Sequence, residues 1–220
     1  AYQKGFGGHF HNDNSLAVFR DLPGVIVACP SNGIDAVKML RRAVLEAYIN
    51  SRITVFIEPI ALYMVKDLHK TKDAKWSFNY PSPEEDIPIG EFGVYGRGSS
   101  LTIISYANGF YLSMQAKLEI EKQINKTIKI IDLRWLSDIN ISDLIKSIGK
   151  CSKILVVDEC RKNGCYGEGL VADIIAASNN PIDIRLHAAE NSFIPLGEAA
   201  TVTLPSKESI IDNAIELYNE

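Results

Sequence analysis

No apolar run in this chain approaches the roughly twenty residues that a bilayer core demands. A basic surplus is missing too. Lysine and arginine number 23 against 27 aspartates and glutamates, a formal net charge of −4. That argues against nucleic acid as the main partner, since phosphate recognition calls for a basic patch. Cysteine is scarce. Cys29, Cys151, Cys160 and Cys165 make no C-x-x-C pair, and the histidines do not fall at zinc-finger spacing. Cys29 reads as a small core residue, Cys160 and Cys165 flank a loop, and reduced thiols in a cytosol-like compartment are expected. The sequence contains no G-x-S-x-G elbow, Walker loop or H-E-x-x-H stretch. Its opening, Ala1-Tyr2-Gln3-Lys4-Gly5, holds no signal-peptide core. It lacks an initiator Met and begins mid-pattern, so it is expected to be a piece of something longer.

What is present is an ordinary globular composition, 46% hydrophobic and 23% charged over 220 residues. That length suits one large domain or two smaller ones. The densest chemistry lies at Gly7-Gly8-His9-Phe10-His11-Asn12-Asp13-Asn14-Ser15. Glycines allow close backbone approach, imidazoles exchange protons near neutrality, and short polar side chains cap helix starts. The plain alternative is a helix cap carrying two surface histidines.

Residues 25–29, VIVAC, form a continuous apolar run between turn signals, as a strand buried on both faces does. Ser31 or Asn32 then caps a helix over about residues 34–49. Val37, Leu40, Val44, Leu45 and Tyr48 recur at helical spacing as its apolar side, with Lys38, Arg41, Arg42 and Glu46 facing out. Residues 53–57 form a second strand, closed by Glu58-Pro59. This order implies a right-handed parallel crossover. From 66 to 91 the periodicity dissolves among lysines, prolines and acids, so a linker and a domain boundary are expected there. Strands at 101–106, 128–133, 154–158 and 182–186 then alternate with helices, and a helix at 206–218 closes the chain. The pattern is α/β, with a mostly parallel sheet covered by helices.

Several motifs have two explanations. Gly164-x-x-Gly167-x-Gly169 has the order G-x-x-G-x-G rather than the dinucleotide G-x-G-x-x-G, and follows a late strand. A tight strand-to-helix turn is the simpler account, although such a helix start could bind an anion. Asp132-Leu133-Arg134 ends a strand, where function often sits, but a structural ion pair or domain contact explains it as well. Asp158 and Glu159 are adjacent on a strand, so they point to opposite sides and make no acid/base pair by themselves. Glu58 reads as a cap for a neighbour, and His69 and His187 as bystanders.

Taken together, the motifs resemble a known family. His11-Asn12-Asp13-Asn14-x-x-Ala17-x-Phe19, then Pro23-Gly24-x-x-Val27-x-x-Pro30-Ser31, Asp35-Ala36 and Phe56-Ile57-Glu58-Pro59 with Leu62-Tyr63, look like the beta subunit of thiamine-diphosphate-dependent 2-oxoacid dehydrogenases. Gly98-Ser99-x-x-Thr102-Ile103-Ile104-Ser105-Tyr106, Ile131-Asp132-Leu133-Arg134 and Val156-Val157-Asp158-Glu159 resemble the transketolase C-terminal domain. The similarity runs nearly end to end and is specific as an ordered set.

The resemblance implies two parallel-sheet, three-layer domains. Residues 1–78 would be the back part of a pyrimidine-binding domain, 79–90 a linker, and 91–220 a transketolase C-terminal-type domain. The family's active-site histidine falls on His11, where it would orient the 2-oxo acid carboxylate or assist acyl transfer to lipoamide. His9 lies off the aligned position. The variant His-Asn-Asp-Asn replaces the family's serines and glutamine. Thiamine diphosphate and magnesium are implied for the complete enzyme. Their binding residues would lie upstream of residue 1 and on another domain, so the fragment alone is expected to hold neither and not to turn over. A structural potassium ion is a further implication. Expected partners are an alpha subunit or the N-terminal half of a fused chain, a second copy through the C-terminal domain, and a dihydrolipoyl acyltransferase, with no nucleic acid or membrane. The compartment would be the bacterial cytoplasm or the mitochondrial matrix. Another transketolase-like enzyme, transferring ketol units or making deoxyxylulose phosphate, and a non-catalytic assembly module are the alternatives.

Overall fold

A computed structural model describes residues 2–8 and 12–220. Two sheets organise it. The first has two parallel strands, β1 (Ile26–Ala28) and β2 (Thr54–Phe56), joined by helix α1 (Gly33–Asn50). Asn32 caps α1 by accepting from the Asp35 amide at 2.9 Å, which settles the two candidate caps.

The second sheet has five strands in the order β3-β5-β4-β6-β7. These are β3 (Gly93–Tyr95), β4 (Thr102–Ser105), β5 (Lys129–Asp132), β6 (Lys153–Arg161) and β7 (Asp183–Ala189). All pairings are parallel except β3 against β5. The edge strand β3 has no counterpart among the expected strands, because three residues with one apolar side chain leave no period to read. The helices are α2 (Ala107–Ile124), α3 (Ile141–Ile148), α4 (Tyr166–Ala177), the single turn α5 (Ala200–Thr203) and α6 (Lys207–Asn219).

Alternation along the central strands builds two apolar layers. Ile103, Ile130, Leu155 and Val157 face Phe110 and Ile120 of α2 and Ile210 and Ala214 of α6. Ile104, Ile131, Ile154 and Val156 face Leu144 and Ile148 of α3 and Leu170 and Ile174 of α4. The result is the three-layer α/β arrangement expected from the pattern. Each fully buried isoleucine contributes about 1.5–3 kcal/mol.

The first sheet is built onto the second. The Cys29 amide donates to the Arg134 carbonyl and the Leu136 amide to the Val27 carbonyl, both at 2.8 Å, so the chain leaving β5 covers the open edge of β1. Val27, Cys29 and Ile57 join the same apolar cluster as Ile104 and Ile131, while Ile26 and Ala28 pack beneath Met39 of α1.

Helix α1 overturns one expectation. Its periodic apolar residues are the outward ones: Leu40, Val44 and Tyr48 are 50%, 59% and 88% exposed. The buried positions are Asp35, Met39 and Ala43. The reason lies at residues 81–86, which strap the charged side instead. Lys38 pairs with Glu85, Arg42 with Asp86 at 2.6 Å, and Arg41 donates to the carbonyls of Pro81, Ser82 and Glu85.

The stretch between the sheets has no helix or strand from 63 to 92, as its sequence suggests, yet it is fixed in place. Asp73 accepts from the amides of Leu68, His69, Lys70 and Lys75, and Asp67 from those of Lys72 and Ala74. These two acids organise the loop. Trp76 stacks against Phe110 and Tyr111, which anchors residues 65–78 on α2 of the second region.

Candidate functional site

His11, with His9 and Phe10, lies outside the described residues. The flanks of the motif are well defined and do more than cap a helix. Asn12 and Asn14 are buried. Asn14 Oδ1 accepts from the Tyr2 amide and Asn12 Oδ1 from the Gly5 amide, each at 2.8 Å, which folds the opening segment back on itself. Their amide groups reach outward. Asn12 Nδ2 donates to the Ile194 and Pro195 carbonyls, at 3.3 and 3.1 Å, and Asn14 Nδ2 to Glu159 Oε1 at 3.3 Å. Asp13 pairs with Arg161 at the end of β6, and this partner holds its carboxyl below the usual range despite partial burial. Ser15 precedes the 3-10 turn Leu16–Asp21 but makes no capping bond; it bonds Asp13 and Arg161 instead. Gly5 is required here. Its φ is +84°, and an added Cβ would sit 2.4 Å from the Gly197 carbonyl oxygen.

Beneath this segment runs a buried polar chain. Tyr2 Oη donates to Tyr106 Oη at 3.1 Å, and Tyr106 Oη to Asp158 Oδ1 at 2.7 Å. Cys160 Sγ lies 3.5 and 3.6 Å from the two phenols. Burial pushes both phenols and the Cys160 thiol well up, so all three stay neutral at physiological pH and none is an activated nucleophile. All four cysteines are free and buried.

The glycine-rich turn has its anion within the chain. Asp158 Oδ2 accepts from the Gly167 amide at 2.8 Å, and Glu168 Oε2 from the Gly164 amide at 2.7 Å. Arg20 lies over Gly169 and donates to the Cys165 carbonyl at 2.6 Å. A Cβ at Gly169 would meet Arg20 Nη2 at 1.9 Å. The glycines therefore make room for an arginine clasp, and the helix start that would face a phosphate is taken by Asp158. This is the strand-to-helix turn expected, not a nucleotide site.

Asp132 and Arg134 form the seam between the two regions. Arg134 binds Asp35 of α1 through Nε at 2.9 Å and Nη2 at 3.2 Å, a bidentate ion pair. Asp132 is fully buried and accepts from Ser31 Oγ at 2.8 Å, and Ser31 Oγ in turn accepts from the Ala107 amide. Burial, helped by the charge of Asp35, pushes the Asp132 carboxyl up to about 7. The structural alternative for this motif is the one realised. Asp158 and Glu159 do face opposite ways, the first toward Tyr106 and the second toward Asn14.

The remaining candidates stand apart from this cluster. Glu58 is exposed and accepts from Tyr63 Oη at 2.5 Å, beside a cleft of about 600 Å³ lined by Phe56, Tyr63, Met64, Trp76 and Phe78. His69 is exposed. His187 lies within β7 rather than after it, and bonds Ser209 Oγ at 2.7 Å, next to the capping box of α6. Sequence reasoning missed Tyr2, Lys4, Tyr106, Asn108 and Arg161 as members of the central cluster. Tyr106 and Asn108 adjoin the apolar run 101–105, whereas Tyr2, Lys4 and Arg161 stand in polar stretches that carry no local signal.

Residues 90–189 match the family model of the transketolase C-terminal domain. The chain is 29% identical over 218 residues to a pyruvate dehydrogenase E1 component subunit beta of Staphylococcus epidermidis, covering 95% of this chain and 62% of that protein. It is 30% identical over 222 residues to the protein of the same name from Staphylococcus aureus, covering 96% of this chain and 62% of that one. It thus spans about three fifths of the length of these curated relatives. Among solved structures, a split-gene transketolase described as an inactive beta4 tetramer superposes with a TM-score of 0.68 at 18% identity, over 96% of this chain and 64% of that one. A Campylobacter jejuni transketolase gives 0.51 at 13% identity, over 93% and 28%. The solved structures speak for the fold alone. The resemblance to the beta-subunit family drawn from the motifs holds along the chain.

Proposed function

We propose that the chain is part of the decarboxylating component of a 2-oxoacid dehydrogenase, either a beta subunit or the second half of a fused chain. The observation that carries this reading is its similarity to pyruvate dehydrogenase beta subunits over 95–96% of its length. In the complete enzyme a 2-oxo acid such as pyruvate or a branched-chain 2-oxo acid is decarboxylated and its acyl group passed to lipoamide. Thiamine diphosphate with magnesium supplies the carbanion chemistry. The residues described do not fit that cofactor by themselves. Their glycine-rich helix start is filled by Asp158, and Glu58 is an exposed partner of Tyr63. Other polypeptide, such as an alpha chain or a fused N-terminal half, holds it, and the chain alone is inactive.

The contribution of this chain is His11 and the platform under it. His11 orients the substrate carboxylate or assists acyl transfer. Asn12, Asp13 and Asn14 pin the flank of that histidine to β6 and to residues 194–195. Residues 1–78 are the back part of the pyrimidine-binding domain, 79–90 the connection, and 91–220 the C-terminal domain, which pairs with a second copy and docks the acyltransferase. A bacterial cytoplasmic or mitochondrial setting follows from that role. The open apolar stripe on α1 supports a chain that works in an assembly.

The test uses the full-length parent with its alpha partner, thiamine diphosphate and magnesium. Acylation of lipoamide from a 2-oxo acid is expected, and His11→Ala lowers it by about 10²–10⁴-fold. Ketol transfer between sugar phosphates without lipoamide acylation overturns the reading in favour of another transketolase-like enzyme. Subunit binding without either activity makes the chain an assembly module.

A further inference from the structure

We propose that residues 66–76 and the cleft at their base form a docking site for an acidic segment of another protein, one that carries an apolar side chain. Residues 66–75 hold four lysines and two aspartates, in a chain whose net charge is −4. Both aspartates are committed to the backbone. Each carboxylate oxygen of Asp73 accepts from two amides, and each of Asp67 from one. Lys66, Lys70, Lys72 and Lys75 are exposed, and among the described residues none of them pairs with a carboxylate, whereas Lys38, Lys117, Lys146 and Lys153 each do. The loop thus presents unpaired ammonium groups on an otherwise acidic molecule.

Its shape is fixed before any partner arrives. The Trp76 amide closes the neck by donating to the Lys66 carbonyl at 2.8 Å. From α2, Tyr111 Oη donates to the Asp67 carbonyl and Gln115 Nε2 to the Leu68 carbonyl, both at 2.8 Å. A surface held in this way loses little freedom on binding. The neck also opens on the cleft of about 600 Å³. Val65 and Trp76 line it with Tyr63, Met64 and Phe78, and Lys66 and Lys75 adjoin the first two in the chain. Tyr63 and Met64 are 58% and 83% exposed. An apolar wall next to unpaired cations suits a segment whose apolar side chain enters the cleft while its carboxylates meet the lysines, the charges giving steering and orientation. Glu58 also lines the cleft. Its charge opposes a phosphate backbone, and with the acidic balance of the chain this favours a protein over a nucleic acid. The surface is independent of any role in 2-oxo acid decarboxylation.

Fluorescence polarisation of the whole chain with a fluorescein-labelled Glu-Glu-Leu-Phe-Glu-Glu peptide tests the site. Saturable binding is expected, weakening as salt rises from about 0.05 to about 0.5 M. Lys66→Glu combined with Lys75→Glu should weaken it by about tenfold. Both side chains are exposed and unpaired, so the urea midpoint should not move. Met64→Ser should also weaken binding but leave its salt dependence in place, because it removes apolar contact and no charge. The uncharged peptide Ser-Ser-Leu-Phe-Ser-Ser should bind more weakly and without that dependence. A Kd weaker than about 1 mM, or binding that the two charge reversals leave unchanged, overturns the proposal. Tighter binding of a short oligothymidylate, lost in the same variant, would make the loop a nucleic-acid site. Self-association in sedimentation velocity that the charge reversals abolish would make the occupant a second copy. Either result also overturns it.

Discussion

The two sheets handle the same sequence grammar differently. In the five-stranded sheet, alternating side chains enter two apolar layers, each roofed by helices of the same region. In the two-stranded sheet one face lies under α1 and the other merges into the core of its neighbour, while α1 turns Leu40, Val44 and Tyr48 outward. The first arrangement is roofed by its own helices, with Val27, Cys29, Ile57 and Trp76 packed against it from outside. The second is closed by a polar seam of Arg134, Asp35, Ser31 and Asp132, and by the strap at 81–86. A region that relies on ion pairs and borrowed surface gains less per residue than one that buries apolar area, because charges give back most of their attraction in desolvation.

The sharpest way to break the closed region is Phe110→Ala. Phe110 is fully buried and touches the rings of Trp76 and Tyr95, so the cavity should cost about 3–5 kcal/mol in urea unfolding. A smaller effect tests the seam. Asp132 has its carboxyl at about 7 against an ordinary 3.8, so the folded state holds the extra proton. The Asp132 contribution to stability should therefore be fully present below about pH 4 and be lost toward and above pH 7, by at most about 1.4 kcal/mol per unit. Asp132→Asn, which still accepts from Ser31, should remove that decline in a pH series of melts. The smallest effect belongs to the open helix face. Val44→Ser should change stability by less than about 0.5 kcal/mol. A cost of several kcal/mol there would mean that the stripe is covered, and the contrast between the two regions would disappear.

The legibility of the sequence follows the same division. The strands around Ile103, Ile130 and Leu155 were readable because both faces are apolar and turns bound them. The cap at Asn32 and the ion-pair reading of Arg134 came from local residue chemistry. The orientation of α1 was not readable, because a hydrophobic period marks which side chains share a face and not whether anything covers it. Asn12 and Asn14 looked like capping residues, since their short amides suit a cap as well as a clamp. Only the arrival of Tyr2, Glu159 and residues 194–195 from distant parts of the chain decided between the two.

By itself, then, the order of apolar and polar residues determined the α/β class, the positions of the parallel strands and the helix starts, since each depends on neighbours within a few residues. The tertiary structure alone decided that the glycine turn holds Asp158 instead of a phosphate, and that the acids at 67 and 73 fold a loop. Those outcomes depend on which groups are left without water once the chain has closed, and burial of that kind is a property of the whole fold.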